Sequence, residues 1–169
     1  GAGAPLVFIH GFGGDLNNWQ FNQEALAAGR PTYALDLPGH GGSTKDLGAE
    51  RADVGTLARA VLDFMDAKGI EAAHLVGHSL GGAIALHLAL EHPARVRSVT
   101  AIGSAGLGSE INMAYIEGFM GAKRRKQLQP VLELLVADPE MVSREMIEDV
   151  LKFKRLDGVE TALSRIVAG

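Results

Sequence analysis

Ser79 is the residue whose surroundings in the sequence most directly indicate chemistry. It stands at the centre of Gly77-His78-Ser79-Leu80-Gly81, after the apolar run at 73–76 and before a long apolar segment at 80–90. A serine on a tight turn from strand to helix, with a glycine two residues before and two after, is a nucleophile elbow. Such a turn strains the serine backbone and exposes its hydroxyl beyond the sheet, where it can attack an acyl carbon.

A second glycine-rich segment, His10-Gly11-Phe12-Gly13-Gly14, follows the first apolar run of the chain at 6–9. Glycines after a strand let backbone N–H groups turn toward a ligand. In an acyl-transfer site, the N–H groups of Phe12 and Leu80 are then the predicted donors to the oxyanion of a tetrahedral intermediate. The alternative is a turn whose glycines serve packing alone. The residues expected to border the substrate pocket are His10, Gly11, Gly13 and His78.

Activation of Ser79 requires a general base within hydrogen-bond distance of its hydroxyl. The histidines of the sequence are His10, His40, His74, His78, His87 and His92. Loop hydrogen bonding is favoured for His10 and His40, and packing or surface positions for the others. Asp36 is expected to fix the loop at 38–43 rather than to act in catalysis. No His, Asp or Glu cluster has the spacing of metal ligands, so neither a metal nor another cofactor is predicted.

The elements that must position these residues alternate along the chain. Apolar runs at 6–9, 32–37, 73–76 and 96–102 predict strands, with helical segments between them. Asp15 and Asp53 are the predicted N-caps of the first two helices, and Gly69 the predicted end of the second. Strands that alternate with helices indicate right-handed βαβ units and therefore a parallel sheet.

The pattern changes after the segment Gly103-Ser104-Ala105-Gly106, because no strand signal follows it. Instead the sequence has three amphipathic stripes, whose apolar positions fall within 128–136, 142–151 and 159–167. We therefore divide the sequence into residues 1–106, the N-terminal part of an α/β core, and 107–169, the start of a helical cap over the sheet. The aromatic residues Phe12, Trp19 and Tyr115 could line a pocket or belong to the core. Their spacing favours the core. The basic run at 123–126 predicts a solvated helix face.

Composition narrows the function classes. The 169 residues indicate one domain, and the formal charge of −4 gives no electrostatic reason to expect nucleic acid as a partner. The absence of cysteine excludes disulfides and thiolate metal sites and favours the cytoplasm. No apolar run approaches the roughly 18 residues of a transmembrane helix, so no membrane association is predicted.

These motifs resemble the α/β-hydrolase fold family. Residues 5–14 are similar to its third strand and oxyanion loop, 35–43 to its fourth strand and the following loop, and 76–82 to its elbow. The segments at 104–112 and 154–159 of the predicted cap narrow the resemblance to one subgroup of this family. They are similar to the hydrolase-like C-terminal domain of the dihydrolipoyl acetyltransferase component in bacterial acetoin-cleaving dehydrogenase complexes.

The resemblance implies a serine hydrolase that acts on an ester, thioester or similar acyl compound through Ser79, without a cofactor. The partners that it implies are a small-molecule acyl substrate and other subunits of a dehydrogenase complex. The alternative is a non-catalytic or accessory module, associated with the acyltransferase, in an acetoin dehydrogenase complex.

The resemblance also implies parts that this sequence does not contain. The family places its acid after a later strand, or sometimes after the strand that follows the elbow helix, and its histidine after the last strand. Here that strand is predicted at 96–102, and Gly103 and Ser104 follow it without a carboxylate. The sequence is therefore expected to be truncated before the last strands. The 169-residue chain alone is expected to be inactive and to expose the strand at 96–102 as an unpaired edge.

Overall fold

A parallel sheet forms the centre of the molecule in a computed structural model, which describes residues 3–48 and 51–169. The strands of this described part are β1 (Leu6–Ile9), β2 (Thr32–Leu35), β3 (Ala73–His78) and β4 (Val96–Ile102). They lie in the order β2-β1-β3-β4, and every neighbouring pair is parallel. The predicted α/β fold with a parallel sheet is therefore confirmed, and β1 and β4 have the predicted bounds.

Helices connect the strands as predicted. They are α1 (Gln20–Leu26), which a short 3₁₀ turn at Leu16–Trp19 precedes, α2 (Val54–Ala67) and α3 (Leu80–Glu91). The Asp15 carboxylate accepts the Asn17 N–H, and the Asp53 carboxylate accepts the Thr56 N–H, each at 2.8 Å. Asp53 is therefore the N-cap of α2, as predicted, whereas Asp15 caps the 3₁₀ turn that leads into α1. Gly69, with a φ of +66°, stands just past the end of α2.

Apolar side chains are buried on both faces of the sheet. Val7 and Ile9 of β1 point into the main core, where Leu57 and Met65 of α2 are fully buried. Phe8, between them in sequence, points to the opposite face and packs on Trp19 with a ring-centroid distance of 5.1 Å. Burial on both faces explains why β1 is a continuous apolar run rather than an alternating one.

Four helices follow β4 in the described part of the chain and form the predicted helical region. They are α4 (Met113–Gly121), α5 (Arg125–Glu133), α6 (Arg144–Lys154) and α7 (Val159–Ala168). Phe119, Leu128 and Leu163 bury their side chains in the same core as the sheet. The division between core and cap at residue 106 stays a prediction. The basic run is exposed, as predicted, and its Lys123 pairs with Glu160 at 2.8 Å.

The edge strand β4 pairs only with β3 among the described residues, and most of its side chains are exposed. The predicted open edge is therefore present in this part of the chain. No helix within residues 3–48 and 51–169 combines the length and the apolar character needed to cross a bilayer.

Candidate active site

Ser79 occupies a sharp turn between the end of β3 and the start of α3. Its backbone has φ +52° and ψ −116°, and no other non-glycine residue in the described part of the chain has a positive φ. The Ser79 N–H donates to the Ile102 carbonyl at 3.0 Å, and the Ser79 carbonyl accepts the Ala105 N–H at 3.1 Å. These bonds to the end of β4 and the segment after it help to hold a strained conformation of the kind found at functional sites.

The glycines of the elbow are required by backbone packing. A methyl group on Gly81 would overlap the Ile9 carbonyl of β1, and one on Gly77 would overlap the Gly81 carbonyl. The ends of β1, β3 and α3 therefore meet at backbone distance, and any side chain at these positions would push them apart. The glycine spacing read from the sequence is a steric requirement of the turn.

The loop at 10–14 lies beside Ser79, since a side chain at Gly11 would begin 3.0 Å from Ser79 Cβ. The Gly11 carbonyl accepts the His10 Nδ1–H at 2.8 Å and the Gly14 N–H at 3.1 Å. These bonds fix the peptide group whose other end is the Phe12 N–H. Within the described residues, neither this N–H nor that of Leu80 donates a hydrogen bond. Both backbone donors are free to bind a ligand oxygen.

Two buried histidines connect this loop to the loop after β2. His10 Nε2 accepts the Leu37 N–H, and His40 Nε2 accepts the Gly13 N–H, each at 3.0 Å. A backbone N–H only donates, so both Nε2 atoms are unprotonated and both rings are neutral with the proton on Nδ1. Burial lowers the pKa of both histidines, that of His40 to about 3. The loop hydrogen bonding predicted for these residues is confirmed.

Acidification is expected to destabilise the chain through these imidazoles. Below pH 6.5 the unfolded chain takes up protons on them, whereas folded His40 stays neutral until the pH nears its pKa of about 3. The free energy of unfolding should fall by about 2 kcal/mol between pH 7.5 and 5 from His40 alone, and His10 acts in the same direction. Urea unfolding at a series of pH values measures this. A midpoint that stays constant from pH 7.5 to 5 would contradict it.

Asp36 fixes the loop after β2, as predicted. Its two carboxylate oxygens accept the N–H groups of Leu16 and Gly42, each at 2.8 Å. The carboxylate therefore joins the chain before α1 to the loop that carries His40.

A cavity of about 630 Å³ opens in front of Ser79, between the carboxyl end of the sheet and the cap helices. The predicted site residues that border it are His10, Gly11, Phe12, Gly13, His78 and Ser79. Trp19 and Tyr115 are nearly buried and also border the cavity, so they belong to both the core and the cavity wall. Asparagine side chains at positions 18, 22 and 112 add polar groups to the wall.

The apolar side of the cavity is formed by residues that the sequence assigned only to amphipathic stripes. They are Leu132, Leu135, Val136, Val142, Met146 and Val150. Leu135 and Met146 are 49% and 48% exposed, so they face the cavity rather than the core. Helical spacing identifies such positions as apolar, but it does not distinguish the wall of a cavity from a packed interior.

No imidazole hydrogen-bonds the Ser79 hydroxyl anywhere in residues 3–48 and 51–169. His10 and His40 use both ring nitrogens in the loops, and His74 bonds Ser98 Oγ at 2.7 Å on the sheet. The same part of the chain holds no cluster of three or more side chains arranged as metal ligands. The described residues therefore place the strained Ser79 at a largely apolar cavity, with two nearby backbone N–H groups that donate no hydrogen bond.

Comparison with known proteins agrees with this geometry. A family model described as alpha/beta hydrolase fold matches residues 4–156. The chain is 54% identical over 164 residues to the dihydrolipoyllysine-residue acetyltransferase component of the acetoin cleaving system of Pseudomonas putida, which covers 97% of this chain and 44% of that protein. It is 35% identical over 151 residues to a 2-hydroxymuconate semialdehyde hydrolase of Pseudomonas sp., covering 88% of this chain and 53% of that enzyme.

The structure also superimposes on a solved hydrolase. The 2-hydroxy-6-oxo-6-phenylhexa-2,4-dienoate hydrolase of Rhodococcus sp. matches with a TM-score of 0.83 and 27% sequence identity, over 98% of this chain and 64% of that one. The chain thus spans about half the length of the two curated relatives described above.

Proposed function

The chain belongs to the α/β-hydrolase fold family, and from that premise we propose that it carries the nucleophile of a serine hydrolase acting on an ester, thioester or similar acyl compound. The observation that supports this most is the strained Ser79, which borders the cavity. The unbonded Phe12 N–H lies in the loop after β1, and the unbonded Leu80 N–H lies at the start of α3, directly after Ser79. A nucleophile beside two free donors is the arrangement that acyl transfer requires.

The reaction proceeds in two steps. Ser79 Oγ attacks the carbonyl carbon, its proton passes to a general base, and the Phe12 and Leu80 N–H groups bind the oxyanion. The bond to the leaving alcohol or thiol then breaks, with a proton returned to that group, and an acyl-enzyme remains. Water adds to the acyl carbon and releases the acid and free Ser79. No cofactor takes part in this scheme.

The apolar wall of the cavity favours an acyl group or leaving group with hydrocarbon character. His10, Gly11, Gly13 and His78 border the reacting carbon in this proposal. The base is the one participant that the described residues do not present to Ser79. We therefore assign the activity to the complete protein that contains this chain rather than to residues 3–48 and 51–169 acting alone.

Labelling with a fluorophosphonate tests the proposal, because this probe reacts with activated serines. The complete protein should take up one probe molecule per chain, and peptide mass analysis should place it on Ser79. Matched protein carrying Ser79→Ala should remain unlabelled. Folded complete protein that takes up no probe would contradict the proposal.

The second candidate is an accessory, non-catalytic module of an acetoin-cleaving complex. The 54% identity to the Pseudomonas putida acetyltransferase component favours it, and so does the lack of an imidazole hydrogen-bonded to the Ser79 hydroxyl in the described part of the chain. In this alternative the chain contacts other subunits of the complex, and the cavity binds no substrate. Absence of labelling in folded protein, together with co-purification of dehydrogenase subunits, would favour it.

For both candidates we propose a cytoplasmic location, because the sequence has no cysteine.

A further inference from the structure

Cap helix α4 contacts the oxyanion loop through two aromatic side chains one turn apart. The Tyr115 hydroxyl donates to the Phe12 carbonyl at 2.9 Å in a buried position. The Phe119 ring meets the Phe12 ring at 5.8 Å and 70°, and it lies directly against Gly13. A helix of the cap therefore touches the residue that supplies one of the two oxyanion donors.

The peptide group between Phe12 and Gly13 is held at both ends. Its carbonyl accepts the Tyr115 hydroxyl, and its N–H donates to His40 Nε2 at 3.0 Å. A peptide group is planar, so fixing its oxygen and its N–H fixes the rotation of the whole plane. The Phe12 N–H belongs to the preceding peptide, which shares the Phe12 Cα. Its direction is therefore set from two sides, by the bonds to the Gly11 carbonyl and by the neighbouring plane that Tyr115 holds.

The opposite end of α4 is fixed by Lys154 of α6. Its ammonium donates to the Phe119 carbonyl and, at 3.5 Å, to the Met120 carbonyl. It also lies 4.7 Å from the centroid of the Phe119 ring. A cation at a helix C-terminus and above an aromatic ring is favourable in both respects. Tyr115 therefore projects from a helix that is held by α6 as well as by its contacts with the loop.

We infer that Tyr115 is a positioning residue, which aims the Phe12 N–H at the oxyanion by holding the Phe12 carbonyl. This inference rests on the proposed function. Asn112, the N-cap of α4, and Ile116 within it also border the cavity. In this inference, a ligand that shifts α4 also changes the orientation of the Phe12 N–H, because Tyr115 joins the helix to the Phe12 carbonyl.

The test replaces only the hydroxyl. Tyr115→Phe keeps the ring in place, and Tyr33→Phe, in β2 and away from the loop, is the matched control. Hydrogen exchange of the peptide covering residues 9–14 reports opening of the loop. Saturation kinetics of fluorophosphonate labelling separate probe binding, KI, from the chemical step, kinact. Both measurements use the complete protein.

In Tyr115→Phe we expect hydrogen exchange of the loop peptide to accelerate about tenfold, the factor that corresponds to the loss of one buried hydrogen bond. We expect kinact to fall about tenfold while KI changes less than twofold, because the donor acts on the transition state. Tyr33→Phe should match the wild type in both. Unchanged loop exchange, or a loss confined to KI, would overturn the inference. If wild-type protein takes up no probe, the proposed function fails, and loop exchange alone then decides whether Tyr115 holds the loop.

Discussion

Replacing Ser79 with alanine is expected to lower ester hydrolysis by the complete protein about 10⁶-fold, the scale seen when the nucleophile of a serine-dependent triad is removed. The loss follows because no other group would form the acyl-enzyme, whereas the cavity and both backbone donors stay in place. Steady-state hydrolysis of a p-nitrophenyl ester measures it. Ser98→Ala removes a hydroxyl on β4 and should hydrolyse the ester at the wild-type rate. Activity retained in Ser79→Ala would contradict the assignment of the nucleophile.

Substitutions at Ser79 should also reveal the strain of its backbone, through their effect on the free energy of unfolding. Alanine keeps the Cβ atom and therefore the strain of a positive φ, whereas glycine adopts φ +52° without penalty. Ser79→Gly is therefore expected to raise the free energy of unfolding by about 1 kcal/mol, and Ser79→Ala to leave it nearly unchanged. Urea unfolding of the two variants side by side checks this. Equal stabilities would mean that the elbow stores no backbone strain.

Replacing Gly81 with alanine is expected to cost about 4 kcal/mol of folding free energy, a value reserved for steric or buried-polar damage. The added methyl group would overlap the carbonyl of Ile9, and both partners are backbone that cannot rotate away. Because small domains have only about 5–15 kcal/mol of stability, the variant should unfold at a much lower urea concentration. Labelling of Ser79 should be lost as well, since α3 carries the Leu80 donor.

Gly121→Ala is the matched control for this substitution. Gly121 is also helical, at the end of α4, but nothing lies within 4 Å of the position that its new methyl group would take. The free energy of unfolding of Gly121→Ala should rise by a few tenths of a kcal/mol, because alanine is a better helix former than glycine. If the two alanine variants unfold at the same urea concentration, the close approach of α3 and β1 is not what selects glycine at the elbow.

Local signals in the sequence were sufficient to predict the four strands of the sheet and the turn around Ser79. A continuous apolar run between Pro5 and a glycine cluster marked β1, and Asp53 and Gly69 marked the ends of α2, because such signals act over a few residues. The histidine bridges depend on contacts between distant segments, since His40 reaches Gly13 across 27 residues. The sequence assigned His40 to a loop hydrogen bond but gave no means of naming its partner.

The cap shows where periodicity stops being informative. The stripe containing Leu128 and Leu135 was visible in the sequence, yet Leu128 is fully buried whereas Leu135 is 49% exposed on the cavity wall. Both are equally apolar, and only the three-dimensional space around them separates their roles. The bond between Tyr115 and Phe12 spans 103 residues and leaves no local trace in either segment.

That long span has a consequence for synthesis of the protein. Phe12 is translated 103 residues before Tyr115, whose hydroxyl holds its carbonyl. At a translation rate of about 5–20 residues per second, the interval is on the order of ten seconds. During this time β1 can pair with neighbouring strands as they are made, while the Phe12 carbonyl lacks its hydrogen bond from the Tyr115 hydroxyl. The proposed oxyanion loop can therefore reach its final form only after α4 has been translated, by which time the residues of all four described strands have been made.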